Sequence, residues 1–229
     1  MHVSKKLCQK IGWGLLCSFL QYGCANTLEY NGLRLSTPLG LQFKKPVKTW
    51  KDLIEQNIVM QALDYSCGAA SLATLMRYYF QETIDEKVVL TTLTKILGAD
   101  TIKNKRKAGF SLLDLKKAAE HLGYQAVGIK LQISALSKLR GPVLVHLKIP
   151  EGEHFVILRG IQADRVFLAD PARGNLRMPI TKFAQEWSGA TLVLAKKGHP
   201  LPVDYPLKIK ETALIRNELD VLKQRLHHH

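Results

Sequence analysis

At Gly123 the hydrophobic period of the chain changes, and this constrains the fold more than any other feature of the sequence. Before it, apolar residues recur at helical spacing. Ala69, Ala70, Leu72, Ala73, Leu75 and Met76 predict a helix over 67–79. Residues 85–97 predict a second, with Thr83 and Glu86 as a capping box and Gly98 as its stop. A third begins at Ser111, capped with Asp114, lines one face with Leu112, Leu115, Ala119 and Leu122, and ends at Gly123. Beyond that glycine, short apolar or β-branched runs at 125–130, 142–148, 155–161, 165–169 and 191–195 are separated by turn residues and read as strands. A short helix over 181–187 intervenes, and an amphipathic helix over about 208–226 follows. Helices first and an antiparallel sheet second is an α+β arrangement, with a helical half facing a sheet half across a cleft.

The 229 residues suffice for one domain with a sizeable core. Their ends read differently from their middle. Lys5, Lys6 and Lys10 precede a short apolar stretch, 11–20, and then small residues, the layout of a secretory signal peptide. That stretch is too short for a bilayer, which needs about 20 apolar residues. Gly23 and Ala25 suit cleavage before Asn26; lipidation at Cys24 and an uncleaved anchor are the alternatives. The expected organisation is therefore a signal peptide over 1–25, an irregular segment over 26–54 with short extended pieces, a catalytic-type domain over 55–200, and a C-terminal helix and tail over 201–229. Export to a periplasm follows as an expectation. The 33 lysines and arginines against 19 acids make the chain strongly basic. This favours acidic partners without choosing among them. No RNA-binding aromatic signature or zinc-finger spacing accompanies it, so nucleic acid is not an expected partner. The KNKRK run at 103–107 reads as a solvated loop, and Trp50 and Trp187 as packing residues.

Of Cys8, Cys17, Cys24 and Cys67, only Cys67 survives such a cleavage. A lone thiol in an oxidising compartment forms no intramolecular disulfide. Its bland reading is a small buried apolar residue, but three islands surround it with chemistry: Gln61 to Ser71 (QALDYSCGAAS), Glu153 to Leu158 (EHFVIL) and Leu168 to Gly174 (LADPARG). A cysteine in the first turn of a helix has its thiolate stabilised by unpaired N–H groups and the helix dipole. Gly68 would let a substrate backbone approach, and Ala69, Ala70 and Ser71 would let the helix pack closely on the sheet. His154, at the start of a strand, is the candidate base, with His146 its competitor. Asp170, at the end of the next strand, can accept from the imidazole, or simply cap a turn before Pro171. Gln61 can donate to an oxyanion with the Cys67 N–H, or lie on a helix surface. The histidines are scattered, so no metal site and no cofactor are expected.

The order Gln–Cys–His–Asp, with Asp-x-x-Cys-Gly-x-Ala, His-Phe-Val-Ile-Leu and Ala-Asp-Pro-Ala-x-Gly, resembles the double-glycine, bacteriocin-processing papain-like cysteine peptidases over about residues 55–196. Residues 109–116 (GFSLLDLK) resemble that family's third helix. The resemblance implies a papain-like fold, cleavage after a Gly-Gly pair in a leader peptide, and catalytic roles for Cys67, His154, Asp170 and Gln61. With a signal-like N-terminus and no Walker P-loop, the chain is most similar to stand-alone exported members, including proteases of functional-amyloid secretion systems. An amyloid subunit or secretion component then joins leader peptides as an expected substrate, and an inner- or outer-membrane secretion protein as a partner. The alternatives are a non-catalytic adaptor that holds an export substrate in the cleft, and acyl transfer to an amine.

Overall fold

A computed structural model describes residues 32–36, 42–46 and 48–209 of the chain. The expected signal peptide, the cleavage site and the helix over 208–226 lie outside these, except for Lys208 and Ile209, which are not helical. Residues 1–47 and 48–229 form two units. In the first, β1 (Gly32–Ser36) pairs antiparallel with β2 (Gln42–Pro46), a hairpin ladder where short extended pieces were expected.

The second unit begins with α1 (Trp50–Ile54), capped by a Thr49–Asp52 capping box. Trp50, expected to pack, is 76% exposed. Three helices follow as expected: α2 (Cys67–Tyr78), α3 (Glu86–Leu97) and, after an unexpected α4, α5 (Leu112–His121). The cap of α3 is Asp85, whose side chain accepts from Val88 N at 2.9 Å, not the expected Thr83–Glu86 box. Glu86 is used elsewhere: its carboxylate accepts the Ala62 N–H. The KNKRK run is not a loop but lies in α4 (Ala99–Ala108), where Ile102 is buried and Lys105 reaches Asp114 at 2.7 Å. One buried apolar residue and one ion pair suffice to dock a helix whose composition reads as solvated.

The remaining elements are β3 (Tyr124–Lys130), α6 (Ile133–Leu136), β4 (Val143–Ile149), β5 (Gly152–Gln162), β6 (Arg165–Asp170), β7 (Gly174–Pro179), α7 (Ile180–Glu186) and β8 (Trp187–Lys196). They build one antiparallel sheet in the order β3-β8-β4-β5-β6-β7. β8, last in sequence, inserts between β3 and β4, and this closes the sheet. The sheet is covered on both faces. Against one lie α2, α3 and α5, burying Leu72, Leu75, Leu115, Leu144, Phe155, Ile157 and Leu192. Against the other lie α6 and α7, burying Val145, Leu147, Val156, Leu158, Leu168, Phe183 and Trp187. Double burial explains why β4 and β5 read as unbroken apolar runs rather than alternating ones. Among the described residues, no helix is long and apolar enough to cross a membrane.

Candidate active site

Cys67 is the first residue of α2, buried at 8% exposure. Its N-cap residue, Ser66, does not cap. The Ser66 hydroxyl turns back, donating to Leu63 O at 2.7 Å and accepting from Leu63 N at 3.2 Å. The first-turn N–H groups of α2, which have no partner within the helix, are therefore left for a charge at the cysteine. Ser71 Oγ, one turn on, donates to Phe155 O at 2.9 Å and ties α2 to β5. Gly68 serves that same contact rather than substrate approach: a Cβ there would meet Leu115 Cδ1 at 2.8 Å and Phe155 Cδ2 at 3.2 Å. The helix bearing the thiol is thus seated on the residue next to His154.

His154 and Asp170, sixteen residues apart, meet because β5 and β6 pair antiparallel, with Leu158 opposite Leu168. His154 Nε2 lies 3.0 Å from Asp170 Oδ1. Asp170 is wholly buried, and its oxygens also accept from Ala172 N at 2.8 Å, Arg173 N at 3.0 Å and Arg173 Nε at 2.8 Å. Both readings of Asp170 therefore hold: it caps the turn after β6 and it faces the imidazole. Burial opposes its charge, but the His154 ring, then Arg173 and the Ala172 N–H, bring its carboxyl down to about 2. Burial likewise opposes the charge on His154. The neighbouring Asp170 carboxylate, and after it Cys67, outweigh it and push the ring up to about 9. With Nε2 on Asp170, Nδ1 is the nitrogen left for sulfur. Arg173 was missed from sequence; its signal is the three-residue spacing after Asp170.

Gln61 lies on a loop stitched to both halves, its N–H donating to Pro171 O at 2.8 Å. Its side-chain Nε2 donates to Leu63 O at 3.2 Å, which holds the amide beside the cysteine and keeps a second N–H available. His146, the competing base, is engaged elsewhere: Nδ1 is 3.1 Å from Ser188 Oγ and Nε2 is 2.9 Å from Glu153 Oε2. Trp187 is buried against Phe183, as expected of a packing residue.

Gln61, Asp64, Cys67, Ile149, Glu151, Gly152, Glu153, His154, Ala172 and Arg173 enclose a cleft of about 360 Å³. A larger cavity of about 690 Å³ lies beside the segment Asp204–Lys208. Its Arg159, Asn57 and Gln81 are spent on backbone carbonyls of residues 204–208, and no cysteine or histidine lines it. Cys67, His154 and Gln61 line the smaller cleft. Among the described residues, no three His, Cys, Asp or Glu side chains gather as metal ligands would.

A family model described as the peptidase C39 family matches residues 55–199. The probable functional amyloid protease FapD of Pseudomonas aeruginosa is 32% identical over 188 residues, spanning 80% of this chain and 79% of that protein. Its namesake in Pseudomonas fluorescens is 32% identical over 162 residues, spanning 71% and 70%. Among solved structures, a double-glycine-motif protease from an AMS/PCAT transporter, in complex with the leader peptide, matches with a TM-score of 0.50 at 27% identity, over 60% of this chain and 89% of that one. The peptidase domain of Streptococcus ComA matches with a TM-score of 0.53 at 23% identity, over 61% and 98%, which speaks for the fold.

Proposed function

The chain belongs to the peptidase C39 family and is a cysteine peptidase, and from that premise we propose that it is an exported endopeptidase that cleaves a secreted polypeptide through Cys67, His154, Asp170 and Gln61. The observation that carries the proposal is that His154, hydrogen-bonded to the buried Asp170 carboxylate, lines the same cleft as Cys67 at the uncapped start of α2. In this reading the thiol proton resides on His154, leaving a thiolate–imidazolium pair. The thiolate attacks the scissile carbonyl. The Cys67 N–H and the Gln61 amide receive the oxyanion. His154 gives its proton to the leaving amine, and the amine departs from an acyl-enzyme. Water, deprotonated by the same imidazole, then hydrolyses the thioester and restores the thiol.

The substrate is a leader peptide or a component of an amyloid or secretion system. The similarity to the FapD proteases favours the latter, and the leader-peptide complex of the AMS/PCAT protease favours a polypeptide threaded through the cleft. The signal-like N-terminus supports a periplasmic location, with an inner- or outer-membrane secretion protein as partner. The test is modification of Cys67 by iodoacetamide against pH, read by mass spectrometry on the peptide containing it, in wild type and His154→Ala. An apparent pKa well below the ordinary thiol value of about 8.5 in wild type, restored in the variant, is the expected result. In parallel, the protein is incubated with a proteome-derived peptide library beside Cys67→Ala. Slow, identical alkylation in both proteins, with no new cleavage ends, would leave a substrate-holding adaptor as the better description.

A further inference from the structure

The cleft around Cys67 carries a charge opposite to that of the chain. The whole sequence has a formal charge of +14, yet the residues enclosing the cleft include three exposed carboxylates and one arginine. Asp64 stands on the loop before α2. Glu151 and Glu153 flank Gly152 at the β4–β5 turn, beside His154, so acids stand on both sides of the path to the sulfur. The arginine does not offset them. Arg173 donates through Nε to Asp170 and is spent on that buried carboxylate. Glu153 has His146 at 2.9 Å; even with that ring charged, the rim stays negative.

What sets these acids apart is that two of them have no partner. Among the described residues, Asp64, Glu151 and the distant Asp204 are the carboxylates that accept neither a cation nor a backbone N–H. Every other described carboxylate accepts one or the other. In a chain with so large an excess of lysine and arginine, unpaired acids are scarce, and two of three meet at the nucleophile. On the same walls, Gln61 Oε1 is buried without a hydrogen-bond partner among the described residues.

We propose that Asp64 and Glu151, with Glu153, make the cleft select polypeptide segments that carry lysine or arginine within a residue or two of the cleaved bond, and reject acidic ones. This rests on the peptidase reading above and adds the substrate class. Each exposed carboxylate contributes modestly to holding a cation, but carboxylates grouped in a cleft concentrate their field, and like-charge rejection doubles the discrimination.

The first test reads the charge of the cleft without requiring proteolysis. Cys67 is modified by a cationic trimethylammonium-ethyl and an anionic sulfonato-ethyl methanethiosulfonate, each rate normalised to that of neutral methyl methanethiosulfonate in the same protein and read on the Cys67 peptide. In Asp64→Asn/Glu151→Gln the cationic-to-anionic ratio falls about five- to tenfold from wild type at low salt. A ratio unchanged within about twofold overturns the proposal. Because any accessible thiol reacts with these reagents, this holds even if the His154→Ala comparison sinks the peptidase reading. The second test counts residues around the cuts made in the peptide library. Enrichment of Lys and Arg and depletion of Asp and Glu beside the cut, lost in the double variant, is expected; cuts with no charge preference overturn the selection rule while leaving the peptidase intact.

Discussion

Replacing Asp170 by asparagine removes the charge that holds His154 protonated. With its ring at about 9, His154 is about nine-tenths protonated at pH 8. Without the carboxylate, burial acts against the charge with less opposition, only Cys67 still favours it, and the ring falls toward its ordinary value near 6.5. At that value about three per cent is protonated at pH 8, so the form that pairs with a thiolate falls by up to about thirtyfold. The assay is the imidazole proton resonance of His154 against pH, beside the alkylation rate of Cys67 at pH 8. Stability should follow with a defined sign. Raised folded values for His154 mean stabilisation complete below about 6.5 and lost as pH rises through about 9. The lowered value of Asp170 means stabilisation present above its ordinary value near 3.8 and lost as pH falls through about 2. The wild-type advantage over Asp170→Asn in urea melts should therefore be greatest between about pH 4 and 6.5, and on the order of 3–5 kcal/mol for a broken buried pair. It should shrink above pH 9. Arg173→Gln, which keeps the carboxylate, should leave His154 titrating well above 6.5. If His154 in folded Asp170→Asn still titrates near 9, the carboxylate is not what charges it and the reasoning fails.

Gly68→Ala should destabilise the protein by about 1 kcal/mol net in urea melts. The new Cβ overpacks Leu115 and Phe155, and the helix-propensity gain offsets only part of that; a more stable variant would show that the contact yields freely. Ser71→Ala removes the bond to Phe155 O and should cost about 1 kcal/mol or more, since it leaves a buried carbonyl unpaired; an unchanged urea midpoint would deny that α2 is tied to β5 there. Arg159→Met should release the segment Asp204–Lys208, whose carbonyls it holds at Leu207 and Lys208. Faster trypsin cleavage at Lys208 than in wild type is the expected sign, and equal rates would mean that the apolar contacts of Leu207 hold it alone.

That Cys67, His154 and Asp170 stand out was legible because the pattern around each is local. A small-residue helix start names Cys67, a strand start names His154, and an Asp-Pro strand end names Asp170. Periodicity likewise located α2, α3, α5 and most strands, since burial on one helix face or within a strand leaves its mark in sequence order. What the sequence could not determine was which distant groups would meet. Nothing in sequence order says that β8 inserts between β3 and β4, or that Glu86 accepts from the Ala62 N–H instead of boxing with Thr83, or that α4 is held by buried Ile102 and an ion pair across to Asp114. The Ser66 hydroxyl has the composition of a cap and turns away from that duty only because Leu63 lies within reach. The charge of the cleft is the clearest case. Asp64, Glu151 and Glu153 are ordinary surface acids in a basic sequence, and only the folding of the β4–β5 turn onto the loop before α2 puts them on the rim of one cleft. Local preferences act between neighbours in the chain, whereas electrostatic and packing terms act between neighbours in space, and the second set exists only once the sheet has closed.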